Sequence, residues 1–374
     1  MSGFQANHIE TLNLPLAQRG GASGFGTMLL LLLFQTIVFV GVRHWAYAFE
    51  NVAPRPRSHP ISSRVARTTV LKSQSHPSET SLVDNDNMAR EIRELMSQHD
   101  PILLFASRLL PADTSRDASA LYAWCRRLDE ITDDPAADSS GVRQRLSDWE
   151  ARFDKLCHGQ PVDGMDAALA QCLKRHEGAL DEAPFRDMMA GMTADAVDGR
   201  TVATMEELEI YAYQVAGTVG IMLLPLLGAN VDQARKPAIA LGKAIQLVNV
   251  LRDAAPDASE LQRIYLPQDM LASEGVSNGD ILELTSSEGY CRVVEKVADR
   301  AEELLAEAEI GRTTLPGLGP LFVQIIVELY RSYLTKLRDM NYDNLATEGE
   351  RVKIGIVQKI FASCKALVAV VPDL

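Results

Sequence analysis

The sequence predicts an all-α fold built as a single large helical domain. Beyond residue 84, apolar residues recur at spacings of three and four, the period of a helix with one buried face. Alternating β-branched runs, which are typical of strands, are rare. Motifs of the GxGxxG and Walker types are absent, which weighs against a dinucleotide-binding or P-loop enzyme. We therefore expect residues 84–374 to form one helical domain.

Five segments fit buried or amphipathic helices, namely 118–133, 205–227, 238–253, 290–308 and 319–340. The breaks carry residues that stop helices, at 134–135 (Asp-Pro), 227–230 (LGAN), 267 (Pro) and 315–317 (LPG). Within 205–227, Gly217 and Gly220 are costly in a helix interior unless they serve a purpose. Close packing of a neighbouring helix and room for a ligand chain are both compatible with them.

Charge and composition exclude several classes of protein. The 374 residues include 37 basic and 50 acidic ones, for a net charge of −13, and 47% are hydrophobic, so a disordered chain is excluded. An acidic chain is a poor nucleic-acid binder, and we expect no nucleic-acid partner. The five cysteines are scattered without a CxxC pair, which predicts neither a disulfide framework nor a cysteine zinc site.

The first 83 residues differ from the rest and are expected to be targeting sequence. Residues 28–42 (MLLLLLFQTIVFVGV) are almost wholly apolar, and Ala46-Tyr47-Ala48 has the small-x-small form of a cleavage site. We therefore interpret residues 1–48 as a signal peptide, with a retained signal anchor as the alternative.

Residues 49–83 are rich in Arg and Ser and contain only two acidic residues, at their two ends. This composition predicts a transit peptide, and a disordered linker is the alternative. Without these 83 residues the net charge is −17. Together the two segments resemble the bipartite plastid presequences of algae with a plastid of red-algal origin, which implies import into the plastid.

A first pair of carboxylates lies in LYAWCRRLDEITDD (121–134). Asp129 and Asp133 are four residues apart and share one helix face, which Arg126 and Tyr122 extend. Two like charges so placed repel each other, but a hard cation such as Mg²⁺ between them would remove the penalty. A solvated acidic helix end is the simpler alternative.

A second polar face occurs in QLVNVLRDAAPD (246–257). Gln246, Asn249, Asp253 and Asp257 are spaced by three, four and four residues, and apolar residues occupy the opposite side. Amides and carboxylates in an apolar helix are costly to bury without a partner. Two such helices facing each other would recruit cations and, with them, a polyphosphate. Guanidinium groups could then grip the phosphate oxygens, and the candidates are Arg126, Arg252 and Arg263.

These motifs resemble the squalene/phytoene synthase family, and within it the phytoene synthases. The resemblance runs from about residue 105 to residue 359. The matching motifs include FASRLL (105–110), LYAWCRRLDEITDD (121–134), FRDMMAGMTAD (185–195), YAYQVAGTVG (211–220), QLVNVLRD (246–253), RIYLPQDML (263–271), ELYRSYL (328–334) and NYDNL (341–345).

The resemblance implies the helical isoprenoid-synthase fold and a prenyltransferase reaction. Two molecules of geranylgeranyl diphosphate would condense, through a cyclopropylcarbinyl diphosphate, to phytoene, without NADPH. Two or three Mg²⁺ or Mn²⁺ ions would be held by Asp129, Asp133, Asp253 and Asp257, while Arg126 would neutralise the leaving group. Further residues that match the family's catalytic and substrate site are Tyr122, Tyr213, Gln246, Asn249, Arg252, Arg263, Tyr265 and Tyr330. Peripheral association with the plastid membrane, or a stromal location, is also implied.

The chain departs from the family pattern after Asp253. Ala255 and Pro256 replace the usual Gly-Glu, and the segment 258–262 is altered and one residue longer. A proline here can end the helix a turn early and shift Asp257, which would weaken the second metal site. Two alternatives to phytoene formation stay open: a non-catalytic assembly or scaffold protein with the same fold, and a squalene or dehydrosqualene synthase that uses farnesyl diphosphate.

Overall fold

A computed structural model describes residues 79–99, 111–132, 139–198, 201–317 and 319–370, and these residues contain helices and no strand. The α-helices are α1 (Glu79–His99), α2 (Ala112–Thr132), α3 (Ser139–Cys157), α4 (Gly164–Arg175), α5 (Ala183–Asp198), α6 (Met205–Ala212), α7 (Thr218–Leu226), α8 (Val231–Arg252), α9 (Ala254–Leu261), α10 (Gln268–Ser273), α11 (Asn278–Leu282), α12 (Glu288–Ile310), α13 (Gly319–Asp339) and α14 (Ile356–Val370). The all-α prediction is confirmed.

The five predicted helices correspond to α2, to α6 and α7 together, and to α8, α12 and α13. Helix α8 begins seven residues before its predicted start, because Asn230 caps it by accepting a hydrogen bond from the N–H of Gln233. Pro237 is accommodated inside α8. The breaks at 227–230, 267 and 315–317 separate helices as expected, and the break at 134–135 lies outside the described residues.

Helix α8 is central to the core. It packs against α7, α12 and α13, and its last nine residues, 244–252, are all buried. One apolar cluster includes Leu121 and Leu128 of α2 together with Leu247 and Leu251 of α8. The helix that carries Asp129 and the helix that ends next to Asp253 therefore belong to one core, and both also pack against α7.

Helices α6 and α7 are joined by a π-helical turn, Tyr213–Gly217. A Cβ added to Gly220 would lie 2.9 Å from the carbonyl oxygen of Ala238, and one added to Gly242 would lie 2.6 Å from that of Ala216. These glycines are needed because the backbones of α7 and of the π-helical turn approach that of α8 closely, the first of the two purposes expected for Gly220. Gly220 also lines an apolar cavity, so the second is compatible as well.

One stretch of the described residues, Met205–Leu226, is long and apolar enough to cross a membrane, but 72% of its most apolar window is buried inside the protein. The predicted signal peptide, the apolar run 28–42 and most of the predicted transit segment lie outside the described residues, and α1 begins at Glu79.

Candidate active site

The end of α8 brings the two residues Arg252 and Asp253 into a buried ion pair. Arg252 donates from Nε and Nη2 to the two carboxylate oxygens of Asp253, at 2.9 and 2.6 Å. Burial alone lowers the pKa of Arg252, but the Asp253 carboxylate outweighs burial and the net shift is upward. The guanidinium also lies 5.9 Å above the ring of Tyr333, and Nε of Arg351 lies 3.8 Å from Asp253. Asp253 is therefore surrounded by positive charge.

Pro256 ends α8 as expected, but Asp257 stays one turn beyond Asp253. The helix stops at Arg252, Asp253 has non-helical dihedral angles (φ −100°, ψ 6°), and α9 starts at Ala254. The N–H of Asp257 nevertheless donates to the carbonyl oxygen of Asp253 at 2.9 Å, the bond of a continuing helix. Both carboxylates are about 95% buried. The helix break therefore preserves the four-residue relation between the two aspartates.

The carbonyl groups at the end of α8 are satisfied from distant parts of the chain. The side chain of Asn344 donates to the carbonyl oxygen of Leu251 at 2.7 Å and accepts a hydrogen bond of the same length from the hydroxyl of Tyr290. The N–H of Val352 donates to the carbonyl oxygen of Arg252 at 2.9 Å. The last turn of a helix lacks internal partners for these groups, so the two contacts stabilise the aspartate-bearing end.

Three predicted polar residues in this region are buried, and two of them have atoms that lack a hydrogen-bond partner within the described structure. Asn249 and Gln246 lie on the same face of α8, with Nδ2 of Asn249 3.5 Å from Oε1 of Gln246. The other amide oxygen, Oδ1 of Asn249, is buried without a partner, as is the hydroxyl of Tyr330 on α13. Buried polar groups are rarely left unsatisfied, so these atoms fit a site that receives a ligand.

The first predicted motif lies on α2, where Tyr122 and Asp129 are buried. Nε of Arg126 donates to Oε1 of Glu130 at 3.0 Å. Asp133 lies outside the described residues. Asp129 is therefore buried in the last turn of α2.

Two aspartates on α5, Asp187 and Asp195, contact predicted site residues, although the sequence motifs did not single them out. The hydroxyl of Tyr213 donates to Asp187 at 2.6 Å, and that of Tyr265 donates to Asp195 at 2.9 Å. Burial and the nearby Asp187 raise the pKa of Tyr213 to about 12. Nη1 of Arg263 lies 3.7 Å from Asp195. The aspartates therefore position three of the predicted residues.

The sequence contains a pattern that could have identified Asp187 and Asp195. Asp187, Gly191 and Asp195 are spaced by four and share one face of α5. A Cβ added to Gly191 would lie 2.5 Å from Cβ of Gln214, so α5 is pressed against the π-helical turn that begins at Tyr213. The same spacing argument that singled out Asp129 and Asp133 applies here.

An apolar cavity lies between α7, α8 and α13. Its lining includes Gly220, Leu223, Leu241, Phe322 and Val323. Leu241 precedes Asp253 by twelve residues, which corresponds to about 18 Å along a helix. A second, smaller cavity lies against Asp257, Arg263 and Tyr265. The larger cavity is thus apolar and borders α8, the helix that ends next to Asp253.

A separate cluster joins Asp117, Cys172 and His176, whose potential ligand atoms lie within 4.8 Å of one another. Asp117 accepts hydrogen bonds from Arg175 and lies 2.9 Å from Nε2 of His176. The guanidinium already neutralises this carboxylate, so the cluster acts as a structural ion pair that joins α2 to α4.

Comparison with known proteins identifies the family. The family model described as squalene/phytoene synthase matches residues 96–358. Phytoene synthase 2, chloroplastic, from Solanum lycopersicum is 37% identical over 257 residues, which cover 67% of this chain and 81% of the relative. The 15-cis-phytoene synthase of Synechococcus elongatus is 35% identical over 265 residues, covering 68% of this chain and 84% of the relative. Phytoene synthase 1, chloroplastic, from Arabidopsis thaliana is 36% identical, and the match covers 72% of this chain but 63% of that longer protein.

Solved structures agree on the fold. A dehydrosqualene synthase determined in complex with a ligand matches with a TM-score of 0.63 and 26% identity, covering 77% of this chain and 98% of that one. The squalene synthase HpnC from Alicyclobacillus acidocaldarius matches with the same TM-score and 23% identity, over 70% of this chain and 96% of that one. The buried aspartates at the ends of core helices, the apolar cavity and these matches lead to one conclusion: the chain belongs to the squalene/phytoene synthase family.

Proposed function

We propose that the chain is a phytoene synthase, a prenyltransferase that condenses two molecules of geranylgeranyl diphosphate to phytoene and releases diphosphate. The observation that carries the proposal is the 34–37% identity to relatives named phytoene synthase, in a chain that keeps buried carboxylates at Asp129, Asp253 and Asp257. The dehydrosqualene synthase structure is less similar, at 26% identity. The longer substrate is therefore favoured over farnesyl diphosphate.

The donor set around α8 fits Mg²⁺ or Mn²⁺. Asp253 and Asp257 lie one helical turn apart, and Oδ1 of Asn249, four residues before Asp253, is a buried acceptor without a partner in the described structure. Hard divalent cations prefer such oxygen ligands and commonly share substrate phosphates. When bound, the ions would polarise the diphosphate leaving group as Lewis acids. Asp129 and Asp133 of the first motif would hold further ions. Asp133 lies outside the described residues.

The chain's own residues would perform three further tasks. Arg252, Arg263 and Arg126 would bind the departing diphosphate, since guanidinium forks match phosphate oxygens. Arg351, close to Asp253, joins this positive set. Tyr213 and Tyr265, held by hydrogen bonds to Asp187 and Asp195, would line the space around the reacting carbons. The apolar cavity would hold a prenyl tail and exclude water, which would quench a carbocation.

The three buried carboxylates, Asp129, Asp253 and Asp257, serve no evident purpose in a scaffold, so the non-catalytic alternative is not favoured. The plant relatives are named chloroplastic, which supports a plastid location. Import through the two segments 1–48 and 49–83, and peripheral attachment to a plastid membrane, belong to the proposal.

The proposal is tested by supplying the purified full chain with Mg²⁺ or Mn²⁺ and either geranylgeranyl or farnesyl diphosphate, without NADPH, and extracting the hydrocarbon. Phytoene from geranylgeranyl diphosphate is the expected product. Dehydrosqualene as the main product would show that the enzyme uses farnesyl diphosphate instead. The absence of turnover with both substrates would favour the non-catalytic scaffold protein.

A further inference from the structure

The C-terminal helix α14 presents large apolar side chains to the outside of the protein. Five residues, which we call the outer stripe, have exposed fractions of 48–75%: Val357, Ile360, Phe361, Leu367 and Val368. Their spacing of three, one, six and one residues puts them on one side of the helix, with the exposed Cys364 between them.

The inner side of α14 is made of small residues. Ala362, Ala366 and Val370 are buried, and α14 packs against α13, where Ala362 joins Leu329 and Ile354 in a small apolar cluster. A surface helix in contact with water normally has the opposite arrangement, with large apolar residues inside and polar ones outside. A contiguous apolar patch of this kind marks an interaction surface.

The charge around the stripe identifies its partner. Residues 351–370 contain Arg351, Lys353, Lys359 and Lys365 and no acidic residue, in a chain whose net charge is −13. Lys353, Lys359 and Lys365 are exposed; Lys353 is paired with Glu350 at 2.6 Å and Lys365 with Glu328 at 2.7 Å. An apolar stripe bordered by lysines complements an anionic lipid surface, whose headgroups attract basic side chains. A second copy of the stripe would instead bring like charges together.

The segment before α14 also reaches the active site. The Val352 N–H bonds to Arg252, and Arg351 lies 3.8 Å from Asp253, only four to five residues before α14 begins. At no more than about 3.6 Å per residue, the start of the helix lies within about 18 Å of these contacts. On the proposed function, the product is a water-insoluble hydrocarbon, so a lipid surface near the site would receive it.

We propose that the outer stripe docks α14 onto the surface of an anionic lipid bilayer. The helix lies in the plane of the interface, with Phe361 and its apolar neighbours at the boundary between headgroups and acyl chains. The exposed lysines contact the headgroups. This inference deepens the membrane attachment included in the proposed function by assigning it to a defined surface.

Cys364 allows the proposal to be tested at the stripe itself. The full chain carrying Cys157→Ser and Cys291→Ser keeps Cys364 as the exposed cysteine of the described residues, and a nitroxide is attached there. Its collisions with oxygen and with a water-soluble nickel chelate are measured by electron paramagnetic resonance. Vesicles of phosphatidylcholine with phosphatidylglycerol are compared with no vesicles. We expect vesicles to raise the oxygen collisions and lower the nickel collisions several-fold. The label reports on α14 alone, so attachment through the apolar run 28–42 does not interfere.

The double substitution Phe361→Glu/Val368→Glu should remove the vesicle effect, and high salt should weaken it. The matched control is Val162→Glu/Ile310→Glu, which changes two other exposed apolar residues by the same charge and should retain the effect. Unchanged collisions on vesicle addition would overturn the proposal. So would dipolar coupling between labels without vesicles, which would indicate a second copy, or immobilisation without such coupling, which would indicate another segment of the chain. No outcome depends on turnover, so failure here is distinct from failure of the proposed function.

Discussion

The main-chain N–H of Val352 donates a hydrogen bond of 2.9 Å to the carbonyl oxygen of Arg252, one hundred residues earlier in the chain. In an uninterrupted helix that carbonyl would accept from the N–H of residue 256, but Pro256 has none. The C-terminal segment thus completes the helix end next to Asp253. The proline is accommodated at the second aspartate motif because a distant backbone group replaces its missing donor.

Pro256→Ala should weaken this contact. The new N–H at residue 256 competes for the Arg252 carbonyl, so we expect the Val352 amide to lose protection in native-state hydrogen exchange. Pro237→Ala, at the proline inside α8, is the matched control and should leave Val352 protected. Equal protection of Val352 in all three proteins would show that residue 256 does not determine the contact.

Asp253→Ala should abolish turnover and also destabilise the fold. The substitution leaves the buried Arg252 without its bidentate partner, a loss that typically lowers the free energy of unfolding by about 3–5 kcal/mol. The double substitution Arg252→Met/Asp253→Leu removes both charges and should recover most of that stability while turnover stays absent. Urea unfolding and product formation measure the two effects, and a stable Asp253→Ala protein would contradict the pairing.

Asp129→Ala should lower turnover by about 100-fold or more while the helical content stays unchanged. The expected loss reflects a missing metal ligand at the first motif. Circular dichroism checks the helices, and product formation checks the reaction. Full activity of this variant would show that Asp129 of α2 is not a required metal ligand.

Val323→Phe should change the preference for chain length. Val323 lines the apolar cavity, and a larger side chain there shortens the space for a prenyl tail. We expect kcat/KM for geranylgeranyl diphosphate to fall about tenfold or more relative to farnesyl diphosphate, equivalent to about 1.4 kcal/mol. Val276→Phe makes the same change at a buried valine outside the cavity lining. If the two variants show the same ratio, the cavity does not hold the tail.

Glu209 should make the fold acid-sensitive. Hydrogen bonds from Arg300 (2.6 Å) and Lys243 (3.1 Å) hold the pKa of Glu209 below its usual value, with burial opposing them. A carboxylate whose pKa is lower in the folded state stabilises the protein above its unfolded pKa of about 4.3, and this stability is lost as pH falls through the folded pKa.

Glu209→Gln should therefore flatten the acid side of the curve of unfolding free energy against pH. Glu206→Gln, at an exposed position on the same helix, is the control and should preserve the original shape. An identical acid side in the Glu209→Gln protein would rule out this contribution.

The helical fold could be predicted from local sequence, because the spacing of apolar residues is a local property that survives in the structure. The polar face of α8 and its cap could be predicted too, since Gln246, Asn249 and Asp253 lie at fixed helical intervals, and so could the break at Pro256. The contacts that hold these residues in place could not be predicted in this way. Asp187 meets Tyr213 across 26 residues, Asp195 meets Tyr265 across 70, and Val352 reaches Arg252 from a later segment. Contacts between elements distant in the chain depend on how helices pack together, and no local pattern records that packing.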